Sequence, residues 1–334
     1  MKRLLSILLA SVLSLTMLSG CQKKSITIAV TNYPVEYLVK MIAQDKVTVT
    51  SLSDSTGIAQ LSQIATADPI TGETGSTPYY ETLLRNASLI LTLGELEPYM
   101  SVYSSTIEKA KGDVVDLSNV VALQEFKRYT MIYTSDKSFP DISAYYKGTA
   151  FDKTDLYKFD PYVWIDPTQM VSMGREILSW LNANYPEEKK FFEANFETLL
   201  NNLTNLDYEY SRFKLLSKKV SFVSMTPSFG YWQRSYYVNV YPVVLSEYGV
   251  LPNNAQLDAI KSRILSDGVQ YIAHEDNLPD HYEALYQTLK SELGLEFKLS
   301  NLYQLSADDK VNGRDYVSLM NANIVQLESI AIAE

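Results

Sequence analysis

The stretch Asp160-Pro161-Tyr162-Val163-Trp164-Ile165-Asp166-Pro167 marks the start of a long helix near the middle of the chain. Asp166 is a residue type that caps helix N-termini, and Pro167 suits the first helical turn. Pro186 disfavours the helical conformation at Tyr185, so we predict a helix over 167–185 that divides the chain in two. Apolar residues then recur on one face of this helix, at Met170, Met173, Ile177, Leu178 and Leu181.

Strands and helices alternate on both sides of this helix. Segments rich in β-branched residues predict strands at 25–31, 47–52, 88–93, 220–225, 269–273 and 297–299. Such alternation is typical of parallel sheets with ligand chemistry at the carboxyl ends of the strands. We therefore expect an α/β protein with two (β/α) lobes joined by a long rigid helix. The N-terminal lobe would cover 21–166, the linking helix 167–185 and the C-terminal lobe 186–334.

The first twenty residues have the pattern of a secretory signal. Lys2 and Arg3 precede an apolar run at 4–18, which is too short to span a bilayer. Leu18-Ser19-Gly20-Cys21 is similar to a bacterial lipobox, in which the cysteine is lipidated and becomes the first mature residue. We expect 1–20 to be a lipoprotein signal peptide and Cys21 to anchor the protein on the extracytoplasmic side of the cell membrane. Plain secretion with cleavage nearby is the alternative.

Charge and cysteine content exclude some classes of protein. The formal net charge of −10 argues against a nucleic-acid partner and against binding to anionic lipid, so we expect the lipid anchor to be the membrane contact. Cys21 is the only cysteine, so the fold is stabilised by packing without disulfides. No Gly-x-Ser-x-Gly, phosphate-binding glycine loop or His-Glu-x-x-His is present, and we predict that the protein is not an enzyme.

The central stretch resembles the Asp-Pro-His-x-Trp-Leu-Asp-Pro motif of the zinc- and manganese-binding receptors of ABC importers. The resemblance implies a periplasmic-binding-protein fold of the metal-receptor cluster, an ABC permease in the membrane as partner, and a monomeric receptor. Further motifs with the same order and spacing as in that family run through the chain: Asn32 to Tyr37, Ala87 to Leu91, Gly94 to Pro98, Phe229 to Tyr231, and Tyr316 to Met320.

The family holds its metal with four side chains, and the resemblance places Gln60, Tyr162, Thr226 and Gln304 at those positions. Slippage in the last loop would bring Asp308 or Asp309 to the fourth position instead. The four side chains are neutral near pH 7, and none is a good ligand for zinc or manganese. From this we predict no metal at the family positions and no cofactor.

Amide, phenol and hydroxyl groups instead suit a polar organic ligand. In this hypothesis Gln60, Tyr162, Thr226 and Gln304 bind the ligand in the cleft between the lobes, with Trp164 and Tyr231 as aromatic walls. The alternative for the aromatic residues is a place in the core, which we favour for Trp164.

Relocated carboxylates leave open a weak site for zinc or manganese. His274 and Glu275 follow the strand predicted at 269–273, although adjacent side chains of a strand point in opposite directions. Asp308 and Asp309 are the other candidates for metal ligands.

The resulting prediction is a substrate-binding lipoprotein of an ABC importer, from the family of metal ion transport receptors, with a degenerate metal site. The alternatives are weak metal binding through the relocated ligands, or a surface lipoprotein that has lost transport and acts in cell adhesion or as a scaffold. An open pocket between the lobes would favour transport, and a cleft filled by its own tyrosines would favour adhesion or a scaffold.

Overall fold

Two four-stranded parallel sheets, one in each half of the chain, organise the computed structural model. It describes residues 26–51, 84–97, 104–217, 219–276 and 278–332. The strand order is β2-β1-β3-β4 in the first sheet and β10-β9-β7-β8 in the second. The strands are β1 Ile26–Val30, β2 Val47–Ser51, β3 Leu89–Thr92, β4 Asp113–Asp116, β5 Arg128–Tyr133, β6 Ser138–Ser143, β7 Ser221–Ser224, β8 Asn239–Pro242, β9 Tyr271–Glu275 and β10 Leu295–Leu299.

Helices surround both sheets, and the expected α/β fold is confirmed. The α-helices are α1 Tyr33–Ala43, α2 Ser104–Ile107, α3 Pro167–Asn184, α4 Lys189–Ser211, α5 Gly230–Tyr236, α6 Asn254–Ser266, α7 Asp280–Leu293, α8 Ala307–Val311 and α9 Tyr316–Ile332. The 3-10 turns are Gln44–Lys46, Gly94–Leu96, Leu117–Val120, Thr149–Phe151, Val163–Ile165, Pro186–Glu188 and Arg212–Leu215. None of these helices is long and apolar enough to cross a membrane.

Helix α3 begins as its sequence predicts. Asp166 Oδ1 accepts a hydrogen bond from Thr168 N (2.8 Å), and Pro167 occupies the first turn. The following helix α4 extends past both lobes: Asn195 Nδ2 donates to the Ile42 carbonyl of α1 (2.9 Å) and Tyr210 Oη donates to the Met320 carbonyl of α9 (2.9 Å). Helix α4 therefore contacts helices of both halves of the chain. The predicted boundaries at 166 and 185 themselves stay a prediction.

An antiparallel hairpin, β5–β6, is not among the strands predicted from the sequence, and it packs on the C-terminal lobe. Arg128 at its base is buried, with Nη2 lying 3.2 Å from Asp267 Oδ2 and donating to Tyr241 Oη (2.7 Å). The segment after the hairpin stays on the same lobe, since Tyr146 Oη donates to the Pro242 carbonyl (2.8 Å). By contrast, every residue of β6 except Ser143 is exposed.

Three predicted features, the signal peptide at 1–20, the lipidated Cys21 and the ligand residue Gln60, lie outside the described residues.

Candidate functional site

A buried carboxylate lies at the carboxyl end of the second sheet. Glu275 is the last residue of β9 and is 1% exposed. Its Oε1 accepts hydrogen bonds from Thr226 N (2.9 Å) and Ser224 Oγ (3.0 Å). Its Oε2 accepts from Ser228 Oγ (3.0 Å), from Asn301 Nδ2 (3.3 Å) and, at shorter range, from Thr226 Oγ1. Five hydrogen bonds thus converge on the two oxygens of one buried carboxyl group.

The motif of the opening stretch contacts this network through Trp164. Trp164 Nε1 donates to the Asn301 carbonyl (2.9 Å), and its ring lies 5.9 Å from that of Tyr303 and 4.8 Å from that of Tyr162. Helix α9 holds the backbone of the turn that carries Trp164, because Tyr316 Oη donates to the Trp164 carbonyl (2.7 Å). A continuous set of contacts thus joins Tyr162, Trp164, Asn301, Glu275 and Thr226.

Three of the residues predicted for the ligand site therefore come together: Tyr162, Trp164 and Thr226. All are at most 2% exposed. The other two described candidates have different surroundings. Tyr231 is fully buried and donates its hydroxyl to the Ala122 carbonyl (3.3 Å), while Gln304 is half-buried on the loop that follows Tyr303. Whether any of them contacts a ligand stays a prediction.

His274 and Glu275 point to opposite sides of β9, as strand geometry requires. His274 Nε2 lies 3.0 Å from Glu283 Oε2 of α7, and its ring is 4.7 Å from that of Tyr286. Glu275 faces the network around Thr226. The two side chains therefore do not form one metal site in this conformation.

Asp308 and Asp309 belong to the start of α8. Asp308 is exposed. Asp309 is buried, accepts from Ser306 Oγ (2.6 Å) in a capping box, and pairs with Arg314 Nε (2.7 Å). These contacts account for Asp309 as a helix-capping residue. Within the described ranges, no group of three His, Cys, Asp or Glu side chains could hold a metal ion.

Asp160, the first residue of the motif, is a buried carboxyl group behind Tyr162. Burial raises the pKa of Asp160 to about 8, although the Tyr162 N–H lowers it by donating to Oδ1 (3.3 Å). The other oxygen lies against Gly230: a β-carbon there would be 1.5 Å from Oδ2. A protonated Asp160 is thus packed between the motif and the start of α5.

Another buried phenol lies close to this aromatic cluster. Burial raises the pKa of Tyr157 well above its usual value, and nearby Tyr162 and Tyr282 add to the effect. Its phenol therefore stays protonated at physiological pH and is a poor metal ligand in that form.

The N-terminal lobe has a matching acid at the ends of its strands. Glu97 is 1% exposed, and its oxygens accept from Asn32 Nδ2 (3.3 Å) and Leu93 N (2.8 Å). Asn32 in turn caps α1 by accepting from Val35 N (3.2 Å). This carboxylate orders the turn at the start of α1.

Open space lies outside this network. A cavity of about 430 Å³ separates the loop after β6 from the segment before α6, with Asp152, Lys153, Asp155, Leu251 and Asn253 among its lining residues. Gln256 closes one end, where Nε2 donates to the Ala150 carbonyl (3.0 Å) and to Thr154 Oγ1 (2.8 Å).

Sequence reasoning missed Asn301, Ser228 and Tyr303. Asn301 and Tyr303 come immediately after β10, the neighbour of β9 in the sheet. Because parallel strands end at the same edge, polar residues after β10 were a usable signal for the same site as Glu275. The sequence analysis placed Gln304 on this loop but did not consider its first residues.

A family model described as "Zinc-uptake complex component A periplasmic" (ZnuA) matches residues 28–330. The zinc-binding protein AdcA of Streptococcus pyogenes serotype M3 is 31% identical over 176 residues, which are 51% of this chain and 33% of that protein. The high-affinity zinc uptake system protein ZnuA of Bacillus subtilis is 24% identical over 173 residues, 52% of this chain and 53% of that protein. The chain thus spans about a third to a half of the length of these relatives.

Solved structures share the fold. The Zn(II)-bound ZnuA-like domain of Streptococcus pneumoniae AdcA superposes with a TM-score of 0.64 at 22% identity, covering 92% of this chain and 99% of that domain. The periplasmic zinc-binding protein TroA of Treponema pallidum superposes with a TM-score of 0.67 at 18% identity, covering 92% of this chain and 99% of that chain.

These findings correct the prediction that no metal belongs to the protein. The matching family is named for zinc uptake, and the AdcA structures are zinc-bound, so metal binding is the norm among proteins of this kind. The prediction was wrong because it judged the family positions by their own side chains and treated Glu275 as a weak, separate candidate. A carboxylate from a neighbouring strand reaches the same place, as Glu275 reaches Thr226.

Proposed function

The chain belongs to the ZnuA family of zinc-uptake components, whose model matches residues 28–330, and from this we propose that it is the substrate-binding component of an ABC importer with zinc as cargo. It captures the ion between its lobes on the extracytoplasmic side and delivers it to a permease. The protein captures and transfers the ion without converting it chemically.

The buried carboxylate of Glu275 is the observation that supports a cation as cargo. It is 1% exposed, at the carboxyl edge of the second sheet, and contacts Thr226, the residue at a family ligand position. An anion in a place of low dielectric offsets part of the cost of dehydrating a divalent cation. Two hydroxyls, Thr226 and Ser228, lie against the same oxygen.

The donor set predicts weaker zinc binding than that of a site with four nitrogen, sulfur or carboxylate ligands. Glu275 is the one carboxylate that the described residues bring to Thr226. The segment 52–83 lies outside them, and its sequence holds Asp54, Asp68, Glu73 and Glu81 as further acids. We therefore expect zinc affinity in the micromolar range, at about −8 kcal/mol, in place of nanomolar binding.

The lipid anchor is inferred from the sequence at Cys21, and the permease partner is inferred from the family. A lipidated Cys21 would hold the receptor at the outer face of the membrane and raise its effective concentration near the permease. The receptor would act as a monomer.

A polar organic cargo remains a prediction for the same cleft. Tyr162 and Thr226 offer neutral donors and acceptors, which suit such a molecule. Their burial means that the lobes would have to separate to admit it, because both side chains are at most 2% exposed.

The second candidate is a surface lipoprotein that has lost transport and serves adhesion or as a scaffold. The packing of Tyr162, Trp164 and Tyr303, all at most 1% exposed, favours it, since self-filled clefts suit a rigid body. This function would need no zinc-dependent change of the cleft.

Zinc titration of the chain lacking residues 1–21 tests the proposal. After chelation and dialysis, isothermal titration calorimetry should detect one zinc ion per chain, with affinity at least tenfold weaker in Glu275→Gln. The matched control Glu197→Gln removes an exposed acid from α4 and should keep the wild-type affinity. Heat that fits no site in the wild type, or equal affinities in all three proteins, would reject zinc capture at Glu275.

A further inference from the structure

The loop after β10 has a strained and heavily bonded turn at residues 300–303. Leu302 has φ +58° although it is not glycine, and its side chain is fully buried. Asn323 holds the turn from α9: its Oδ1 accepts from Ser300 N (2.9 Å) and its Nδ2 donates to the Ser300 carbonyl (2.8 Å). A left-handed leucine costs free energy, and such conformations persist where neighbouring contacts fix them, often at functional sites.

Asn301, inside this turn, contacts two distant parts of the molecule and the turn itself. Its Nδ2 donates to Glu275 Oε2 (3.3 Å), and its carbonyl accepts from Trp164 Nε1 (2.9 Å). Its Oδ1 accepts from Tyr303 N (3.1 Å), which sets the direction of the next peptide group. Asn301 is 3% exposed, so these partners replace water for every polar atom of its side chain.

Tyr303, whose N–H is held by Asn301, meets the N-terminal lobe through its carbonyl, in the following peptide group. The Tyr303 carbonyl accepts a hydrogen bond from Tyr33 N (3.3 Å), the first residue of α1. Nearby, the ring of Tyr37 on α1 stacks on that of Tyr316 on α9 at 5.4 Å. The chain of bonds thus runs from Glu275 through Asn301 and Tyr303 to the start of α1.

We propose that Asn301 is a positioning residue that couples the Glu275 network to the contact between the lobes at Tyr33. The coupling to cargo rests on the proposed function. A cation that engages Glu275 Oε2 alters the bond from Asn301 Nδ2, and the opposite end of the same amide holds Tyr303. Leu302 is held in a left-handed conformation that costs free energy, so the turn depends on the contacts of Asn301 and Asn323 to keep its shape.

Amide hydrogen exchange at Tyr33 tests the linkage without any cargo. In the metal-free protein, Asn301→Ala should raise the exchange rate of the Tyr33 amide about tenfold, with a smaller change at amides of β7. The matched control Asn321→Ala, an exposed asparagine on α9 that donates to the Val317 carbonyl (3.0 Å), should leave Tyr33 unchanged. Unchanged Tyr33 exchange in Asn301→Ala, or an equal rise throughout β7 and β9, would overturn the proposal.

Asn301→Asp tests separately the two hydrogen bonds of the Asn301 side chain, the one to Tyr303 N and the one to Glu275. The variant keeps an acceptor for Tyr303 N and loses the donor to Glu275, so Tyr33 protection should stay near that of the wild type in metal-free protein. With zinc as the probe, wild-type protection at Tyr33 should increase and that of Asn301→Asp should not. An equal response in both proteins would overturn the coupling, whereas zinc that binds neither protein by calorimetry refutes the proposed cargo and leaves the metal-free comparison decisive for the linkage.

Discussion

At the scale of single residues, the site depends on the positions of carboxylate side chains in the folded protein. Thr226 carries no charge, yet its hydroxyl contacts Glu275 from the neighbouring strand. His274, adjacent in sequence to Glu275, faces α7 and Glu283 instead. The sequence identified Tyr162, Thr226 and Glu275 as candidates, but alternation alone could not say which of His274 and Glu275 faces the site. Burial and hydrogen bonding decide that question.

The raised pKa of Asp160 predicts a pH-dependent stability. The carboxyl stays protonated in the folded protein up to about pH 8, whereas it ionises near pH 4 in the unfolded chain. Between these values the folded state binds one more proton, so the free energy of unfolding falls by about 1.4 kcal/mol per pH unit as the pH rises. Asp160→Asn should remove this slope and gain stability relative to the wild type from pH 5 to pH 8.

Urea denaturation at several pH values measures this difference. Parallel curves for the two proteins would contradict an Asp160 that is protonated in the folded state. Asn keeps an acceptor for the Tyr162 amide, so packing around the motif stays comparable.

Gly230 is required by the same close packing. A β-carbon there would lie 1.5 Å from Asp160 Oδ2, so Gly230→Ala must move the motif or α5 and should lower the free energy of unfolding by about 3 kcal/mol or more. The control is Gly174→Ala within α3. Its methyl would lie 3.1 Å from the Phe196 ring of α4, and the free energy of unfolding should change by less than about 1 kcal/mol. Chemical denaturation measures the free energy of unfolding of both variants. Equal losses would show that the Asp160 side chain moves aside at little cost.

At the scale of elements, most strands of the two sheets were predicted, whereas β4, β8 and the exposed hairpin were not. Helix α3 begins at Pro167 as predicted, because a capping residue and an apolar face mark it in the sequence. The hairpin β5–β6 was missed because β6 is almost wholly exposed and contains Pro140, so no buried alternation marks it. Tertiary contacts of β5, above all Arg128, stabilise it.

The hairpin should loosen when the buried Arg128 side chain is removed. Arg128→Ala takes the guanidinium away from Tyr241 and from Asp267, which keeps its pair with Arg263, so amides of β5 should exchange at least tenfold faster while those of β1 stay protected. Lys127→Ala, which removes an exposed pair with Glu125, serves as the control. Unchanged β5 exchange in Arg128→Ala would mean that packing alone anchors the hairpin.

At the scale of the whole molecule, function depends on contacts between segments far apart in sequence. The motif at 160–167, the loop after β7, the end of β9 and the loop after β10 meet at Glu275, and α4 spans both lobes. Strand-end logic predicted the sheet edge on which this site lies. The same logic pointed to polar residues after β10, but the role of Asn301 could not be predicted, because it depends on a strained turn and on two partners distant in sequence, Glu275 and Trp164.

Anomalous diffraction at the zinc absorption edge, on crystals of the zinc-loaded chain lacking residues 1–21, tests the central claim most directly. The account predicts one strong peak about 2 Å from a carboxylate oxygen of Glu275, between the motif and Thr226. A peak held by other side chains, or no peak in protein that has been given excess zinc, would contradict it.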